Sequence, residues 1–507
     1  MAQARRRWHL WLAGALFFCT AFGLSHWVDT RWEQADDAYI TYQYARRLAA
    51  GEGFTFSPGA PPVYGTTTPL WTLILAAFAR LGLPPPLTAP WLTSVGHGAT
   101  AALVFLVGVA IGGLALGLAA GALVALSFSV YFRAGGMETA LVTALSAALA
   151  LVLLRGRTRW WPGALLGLLL LARPDAGLLA AVILAGWTLR RDDRREVLLP
   201  NLLAMVAVYL PWAIYALLTF HDLIPWSLRA KAVVKGSGEM NLWAFRRWFV
   251  GGVRPWLLWV AAATCAIGAI GVAIRAPRFR PFTIWAVLYC WALPAGGAPD
   301  FMWYYIPPLW VGLLLAAAGL QVLVSALPRS VRAPAYPIIA AVAVCGYALL
   351  SYRGIEPLLR SDNPYTRFHL MLARKVAELA QPGDMVAAPE VGCIAYFSGC
   401  RILDIRGVTC PEVIVQARAR NLGAIIRRWK PDFVVILEGE GDPAVQQAYV
   451  ARFRAPYWNG QDYVIWQRAL PSNAATGGLP TDCLSPHRAL PVDQAQQPDA
   501  RHAKASL

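Results

Sequence analysis

The chain predicts a polytopic α-helical membrane protein of about eleven crossings, followed by a small α/β domain. Three observations carry this. Of 507 residues 57% are hydrophobic and only 14% charged, with a mean hydropathy of +0.47, whereas soluble domains carry roughly 25% charge. Apolar runs near 8–27, 68–83, 89–111, 115–132, 138–154, 160–172, 174–189, 197–219, 253–274, 281–297, 303–326 and 334–351 alternate with short basic clusters. From about Ser361 the composition changes to mixed strand and helix signals.

The net charge of +17 lies in clusters between the apolar runs, the pattern of loops retained in the cytoplasm. It forms no basic stripe of the kind that binds nucleic acid. The clusters are Arg5–Arg7, Arg155–Arg159, Arg190–Arg195, Arg275–Arg280 and Arg329–Arg332. Arg5–Arg7 precedes an apolar run with no small-residue cleavage site, so the first run reads as an uncleaved span with its basic end inside. All the clusters fall on one side only if 68–83 lies in the outer interface and 160–172 and 174–189 are short spans meeting at an outer turn. The outer segments are then 28–88, 133–137, Arg173–Asp175, 220–252, 298–304 and everything after about 352.

Domain boundaries follow: 1–355 is the transmembrane part, 361–470 an outer α/β domain, and 471–507 a Pro-, Gln- and Ala-rich tail expected to be disordered. Within 361–470 the expected elements are a helix over 366–380, strands at 385–388, 401–404, 432–437 and 462–466, and a helix over 421–429. Cys393 and Cys400 could pair if this domain is outside the cytoplasm, with thiols as the alternative. No Cys-x-x-Cys or His-x-x-x-His spacing suggests structural zinc. No internal repeat is visible.

On this threading the chemically loaded segments share one face. Asp36 and Asp37 follow the first span. Adjacent side chains diverge by about 100° on a helix, so one can act as a base while the other braces the loop. A general base needs a partly desolvated carboxylate within reach of a hydroxyl; a helix N-cap is the plainer role. Glu138 follows Gly135-Gly136 and could simply be a first-turn acid. Arg173 and Asp175 interrupt an apolar stretch, where ionisable groups are paired or functional. Arg133, Arg229, Lys231 and Lys235 are further outer cations, for which interfacial snorkelling is the alternative. Asp300, Trp303, Tyr304 and Tyr305 form a polar and aromatic segment able to line a sugar site or to sit as an interfacial belt.

The series Asp36-Asp37-Ala38-Tyr39, Gly51-Glu52-Gly53-Phe54, Pro58-Gly59 and Gly65–Trp71 resembles the first outer loop of polyprenyl-phosphate-dependent membrane glycosyltransferases of the C-type (GT-C) fold. It is most similar to the branch holding the mycobacterial terminal arabinofuranosyltransferases, with protein O-mannosyltransferases and lipid A aminoarabinose transferases as more distant kin. The resemblance runs through Gly136–Thr139, Arg173–Asp175, Ala230-Lys231, Glu390–Ser398 and Asp404–Gly407, covering roughly 30–470. Gln43 stands where such loops usually carry Arg, and Ser57 where Asn is usual.

The resemblance implies an inverting enzyme of the bacterial inner membrane with its catalytic face outside. It would move a sugar from a polyprenyl-phosphate donor to a cell-envelope acceptor, with Asp36 or Asp37 as base. The departing phosphate carries about −1.5 to −2 charge, which Arg173, Arg229 and Lys231 are placed to stabilise. No cofactor is certain from the sequence, and the paired acids have the chemistry to hold a divalent cation, Mg2+ or Mn2+. The rival classes are a transporter or flippase of lipid-linked sugars and a non-catalytic sugar-lipid binding protein.

Overall fold

The computed structural model describes residues 2–31, 34–156, 159–189, 194–233, 246, 249, 253–295, 301–360, 364–418, 421–457 and 460–469. The chain divides into two compact units, Met1–Thr366 and Arg367–Leu507.

The first unit is helical. Its elements are α1 (Ala2–Asp29), α2 (Asp36–Ala49), α3 (Pro69–Arg80), α4 (Pro85–Gly112), α5 (Leu114–Ala125), α6 (Phe128–Ala134), α7 (Thr139–Leu154), α8 (Trp161–Ala172), α9 (Gly177–Leu189), α10 (Leu199–Phe220), α11 (Trp226–Val233), α12 (Pro255–Arg275), α13 (Arg280–Ala295), α14 (Ile306–Ser325), α15 (Arg329–Arg353) and α16 (Glu356–Arg360). Among the described residues six helices are long and apolar enough to cross a membrane, or seven if α5 and α6 form one bent span. The apolar helices at Pro69–Arg80, Thr139–Leu154, Trp161–Ala172 and Pro174–Leu189 are shorter. The chain is a multi-pass membrane protein.

Two breaks shape this unit. The segment 115–132, expected as one apolar run, bends by 47° between α5 and α6. The bend is stable because the Tyr131 hydroxyl donates to the carbonyls of Val124 (3.2 Å) and Ala125 (2.7 Å), and Ser127 Oγ donates to Leu123 O (2.8 Å). Carbonyls that a regular helix would satisfy thus keep partners in an apolar setting. The second break, at Arg173, has a local cause. The residue before proline is driven out of the helical region, and Arg173 is extended at φ −158°, ψ 137°. A single 3-10 turn, Pro174–Ala176, then leads into α9.

Small residues let the helix backbones touch. A Cβ on Gly268 of α12 would overlap the Leu315 carbonyl of α14, and one on Gly319 would overlap the Thr264 carbonyl. This is the packing expected where lipid offers no hydrophobic drive for helices to associate.

The first loop folds into a compact layer. Tyr64 stacks on Phe220 at 4.9 Å and accepts a 2.8 Å hydrogen bond from Trp212 Nε1, while Phe54 meets the Trp212 ring edge-on at 5.2 Å. Burial raises the Tyr64 phenol above its usual value, although the bond from Trp212 pulls the other way. Gln43 is fully buried and donates to Phe56 O at 2.7 Å. The glutamine found in place of the usual arginine therefore holds the loop's own backbone.

In the second unit, α17 (Pro364–Leu379) opens the chain into a five-stranded sheet of order β2-β1-β3-β5-β4. The strands are β1 (Met385–Ala388), β2 (Arg401–Asp404), β3 (Phe433–Leu437), β4 (Tyr449–Pro456) and β5 (Asp462–Arg468). β1 pairs in parallel with β2 and β3, whereas β5 runs antiparallel to β3 and β4. Asn421 caps the helix Leu422–Trp429 by accepting from Ala424 N at 2.9 Å, the role its side chain suits best. β4 is the strand the sequence did not announce: an edge strand bearing Arg452 and Arg454, with a register shift between Ala451 and Phe453.

Cys393 and Cys400 form no disulfide, although both are buried. Cys393 lies in the first turn of the helix Gly392–Ser398 and Cys400 beyond its end. Both remain thiols, and the Cys400 sulfur lies 3.9 Å from Gln381 O and 3.8 Å from Ser398 O. The motif at Asp404 is loop wiring. Its carboxylate accepts from the backbone N–H of Arg406 (2.9 Å), Gly407 (3.1 Å) and Thr409 (2.7 Å) and from Thr409 Oγ1 (3.1 Å). Arg406 pairs with Glu390 at 2.8 Å. The tail 471–507 lies outside the described residues.

Candidate functional site

Asp36 and Asp37 are the first two residues of α2, and the N-cap is Ala35 in an extended conformation. The acids are therefore first-turn residues, favourably placed at the positive end of the helix dipole, and not the cap. Asp36 is buried at 2% exposure and Asp37 is half-buried. The two carboxylates thus occupy different surroundings, as divergence on one helix requires.

α2 is pinned to the α6–α7 turn. Tyr42 OH donates to Gly136 O at 3.1 Å, and Trp71 Nε1 donates to the same carbonyl at 3.2 Å. Gly136 has φ +75°, and a Cβ there would overlap the Tyr42 hydroxyl and lie 2.9 Å from Gln34 Cγ. Glycine is needed on both counts. Gly136→Ala is expected to cost about 1–3 kcal/mol through backbone strain and displacement of Tyr42, read as a lowered thermal midpoint of the detergent-solubilised protein. On the other flank, a Cβ on Gly135 would lie 2.8 Å from Asp29 Oδ1. Asp29 accepts from Ser25 Oγ (3.4 Å) and Ser94 Oγ (3.3 Å).

Glu138, two residues past Gly136, stands at the N-cap position of α7 but makes no capping bond through its side chain. Its carboxylate accepts instead from Arg173 Nη1 at 3.3 Å. Arg173 is 4% exposed and also binds Asp175, with Nε to Oδ1 at 3.0 Å and Nη2 to Oδ2 at 2.6 Å. Asp175 Oδ2 further accepts from Tyr289 OH at 2.6 Å, and the Arg173 guanidinium lies 5.3 Å from the Tyr304 ring centroid. One cation is thus held between two carboxylates, a phenol and an aromatic face. All three guanidinium nitrogens are engaged, leaving two of five N–H donors.

A cavity of about 190 Å³ lies beside this cluster. Its lining includes Tyr64 and Pro69 of the first loop, Pro174, Tyr209 and Leu228. Pro174 adjoins Arg173 and Leu228 adjoins Arg229. Trp226 N donates to Tyr64 O at 2.7 Å, docking the α10–α11 turn against the first loop. Arg229 pairs with Asp222 at 2.7 Å and is about half exposed. Lys231 belongs to α11, but its side chain is outside the described part, as are Asp300 and Lys235. Tyr305 is buried against Phe249 at 6.1 Å, while Trp303 stacks on Phe301 at 4.7 Å. Arg133 is buried, with Nη1 3.2 Å from Met302 Sδ.

The geometry so described matches known folds. The solved structure of ArnT from Cupriavidus metallidurans bound to undecaprenyl phosphate superposes with a TM-score of 0.61 at 14% identity, covering 93% of this chain and 99% of that one. AglB, the archaeal oligosaccharyltransferase from Archaeoglobus fulgidus, in complex with an inhibitory peptide and a dolichol-phosphate, gives a TM-score of 0.56 at 12% identity, covering 90% of this chain and 75% of that one. The chain has the GT-C fold. The family described as Domain of unknown function (DUF8728) matches residues 360–476. No curated protein matches the chain by sequence.

Within this GT-C fold the structure brings Glu138, Arg173, Asp175 and Tyr304 together. It adds Tyr289 and Asp29, which sequence reasoning did not single out, and Tyr42 and Trp71, which it met only as members of the first-loop series. Tyr289 sits in an apolar run with no neighbouring charge to mark it. Asp29 carried one signal, as the acid closing the first span four residues after Ser25. Among the described residues no three His, Cys, Asp or Glu side chains are placed to hold a metal ion. Asp36 and Asp37 offer two diverging carboxylates, so a Mg2+ held there would take its remaining ligands from water and substrate phosphate, as that ion commonly does.

Proposed function

We propose that this protein is an inverting membrane glycosyltransferase that transfers a sugar from a polyprenyl-phosphate donor to a hydroxyl acceptor of the cell envelope, on the outer face of a bacterial inner membrane. One observation carries the reading. The acid-bearing helix α2 is fastened by Tyr42 to Gly136, two residues from Glu138, and Glu138 is ion-paired to Arg173, whose neighbour Pro174 lines a cavity also lined by Leu228, the neighbour of Arg229.

In the reaction the acceptor oxygen attacks the anomeric carbon from the face opposite the phosphate. The C–O bond to phosphate breaks, the acceptor proton passes to a carboxylate, and polyprenyl phosphate departs. Asp37 is the base, being the more accessible of the pair, and Asp36 braces the start of α2. Arg229 and Lys231 meet the departing phosphate. Arg173, already compensated by two acids, is chiefly a positioning group that fixes Glu138, with two N–H donors left for the donor phosphate. The resemblance of the first loop makes a pentofuranosyl donor the first to try. A divalent cation at Asp36 and Asp37 is a separate part of this reading and supplies no step above.

The test is turnover by the purified full chain in lipid vesicles, with polyprenyl-phosphate pentoses and hexoses and an envelope extract as acceptor. Sugar transferred with release of polyprenyl phosphate supports the proposal. Donor movement across the bilayer without transfer supports a flippase and overturns it, and binding without either supports a non-catalytic protein. Dialysis against EDTA, then readdition of Mg2+ or Mn2+, tests the cation: activity that vanishes and returns supports it, unchanged activity removes it.

A further inference from the structure

A second cavity, of about 490 Å³, lies at the other end of the helices that bear the candidate site. Gly112, Arg275, Gln321, Ser325, Arg332 and Tyr336 are among the residues lining it. α14 starts beside Tyr304 and Tyr305 and reaches this cavity after 20 residues, about 30 Å of helical rise. α4 likewise runs 28 residues from Pro85 to Gly112. The two cavities are therefore distinct.

The location is informative. The candidate spans Pro85–Gly112, Pro255–Arg275 and Ile306–Ser325 all end here, and Ser330–Arg353 begins here. Where several spans end together, the chain meets the headgroup layer. The wall carries two guanidinium groups, and none of the residues lining it is acidic. Arg275 Nη1 donates to Gln321 Oε1 at 3.3 Å, and Gln321 Nε2 donates to Gly112 O at 3.0 Å, which fixes the orientation of the amide. Arg332 Nη2 donates to Leu327 O at 3.0 Å. Each arginine has five N–H donors, so both keep donors for an anion. The apolar side chains of Leu114, Leu323, Val331 and Ile338 nearby along the same helix ends are exposed, a surface suited to acyl chains and not to a water-borne anion.

We propose that this cavity binds the phosphodiester headgroup of an anionic glycerophospholipid. Arginine matches phosphate oxygens through paired N–H donors, and basic pockets between membrane helices are where such headgroups are held. Arg275 and Arg332 clasp the phosphate, Gln321 buttresses Arg275, and the acyl chains run along the exposed apolar flank. The site is independent of the reaction proposed above.

Native mass spectrometry of the full chain in detergent, titrated with phosphatidylglycerol, phosphatidylcholine or inorganic phosphate, tests this. The wild type is expected to retain phosphatidylglycerol preferentially. Arg275→Gln with Arg332→Gln is expected to weaken that binding about tenfold or more, equal to about 1.4 kcal/mol. Ala333→Trp, which fills the cavity and leaves both charges, is expected to abolish it. Arg353→Gln, at the far end of α15, changes nothing. Equal retention by the wild type and either cavity variant overturns the proposal. Displacement of the lipid by millimolar inorganic phosphate overturns the lipid assignment and leaves a simple anion site.

Discussion

Asp37→Asn is expected to lower sugar transfer by about 10²–10⁴-fold while donor binding stays near the wild-type level. That range is what a positioned general base contributes. Asparagine keeps the size and the position in the first turn of α2 but cannot accept the acceptor's proton. Asp36→Asn is expected to behave differently. Asp36 is buried at 2% exposure, so its loss falls on the order of the loop, lowering the thermal midpoint together with activity. Single-turnover transfer and thermal unfolding of both variants separate the roles. Full activity in both would remove the acid pair from the mechanism.

Arg173→Met is expected to be the most destabilising single change in the site. It leaves Glu138 and Asp175 facing each other without the cation now between them. Breaking a buried ion pair from one side typically costs about 3–5 kcal/mol, and here two acids lose their partner. Unfolding in detergent should show a large drop in midpoint. Adding Glu138→Gln to Arg173→Met should recover part of the loss, because one uncompensated charge is removed, and a double-mutant cycle measures that coupling. Additive losses would mean that the 3.3 Å contact between Arg173 and Glu138 is not energetically coupled.

What could be read from the residues depended on how local its cause was. The break at Arg173 was legible because proline restricts its own predecessor. β1 and β2 were found at their observed bounds because β1 is a short apolar run and β2 an apolar pair between charged ends, both flanked by turn residues. The bend between α5 and α6 was hidden, since its stabilising group, Tyr131, looks like any aromatic residue in a span. The site divided the same way. Arg173 with Asp175 is a contact between near neighbours and could be weighed in advance. The bond from Tyr289 to Asp175 spans 114 positions, and no pattern in one chain announces such a partner. Gln43 shows a further limit: a departure from a family's habit has no visible cause until the backbone it supports is seen.

The fastening of Tyr42 to Gly136 bears on how this lineage can drift. The two positions lie 94 residues apart, yet a change at one bears directly on the other. Any side chain at 136 evicts the hydroxyl of 42, and losing that hydroxyl leaves the carbonyl of 136 to Trp71 alone. Descendants of this chain should therefore tend to alter 42, 71 and 136 as a set or keep all three, a signature that an alignment could reveal before any protein is purified.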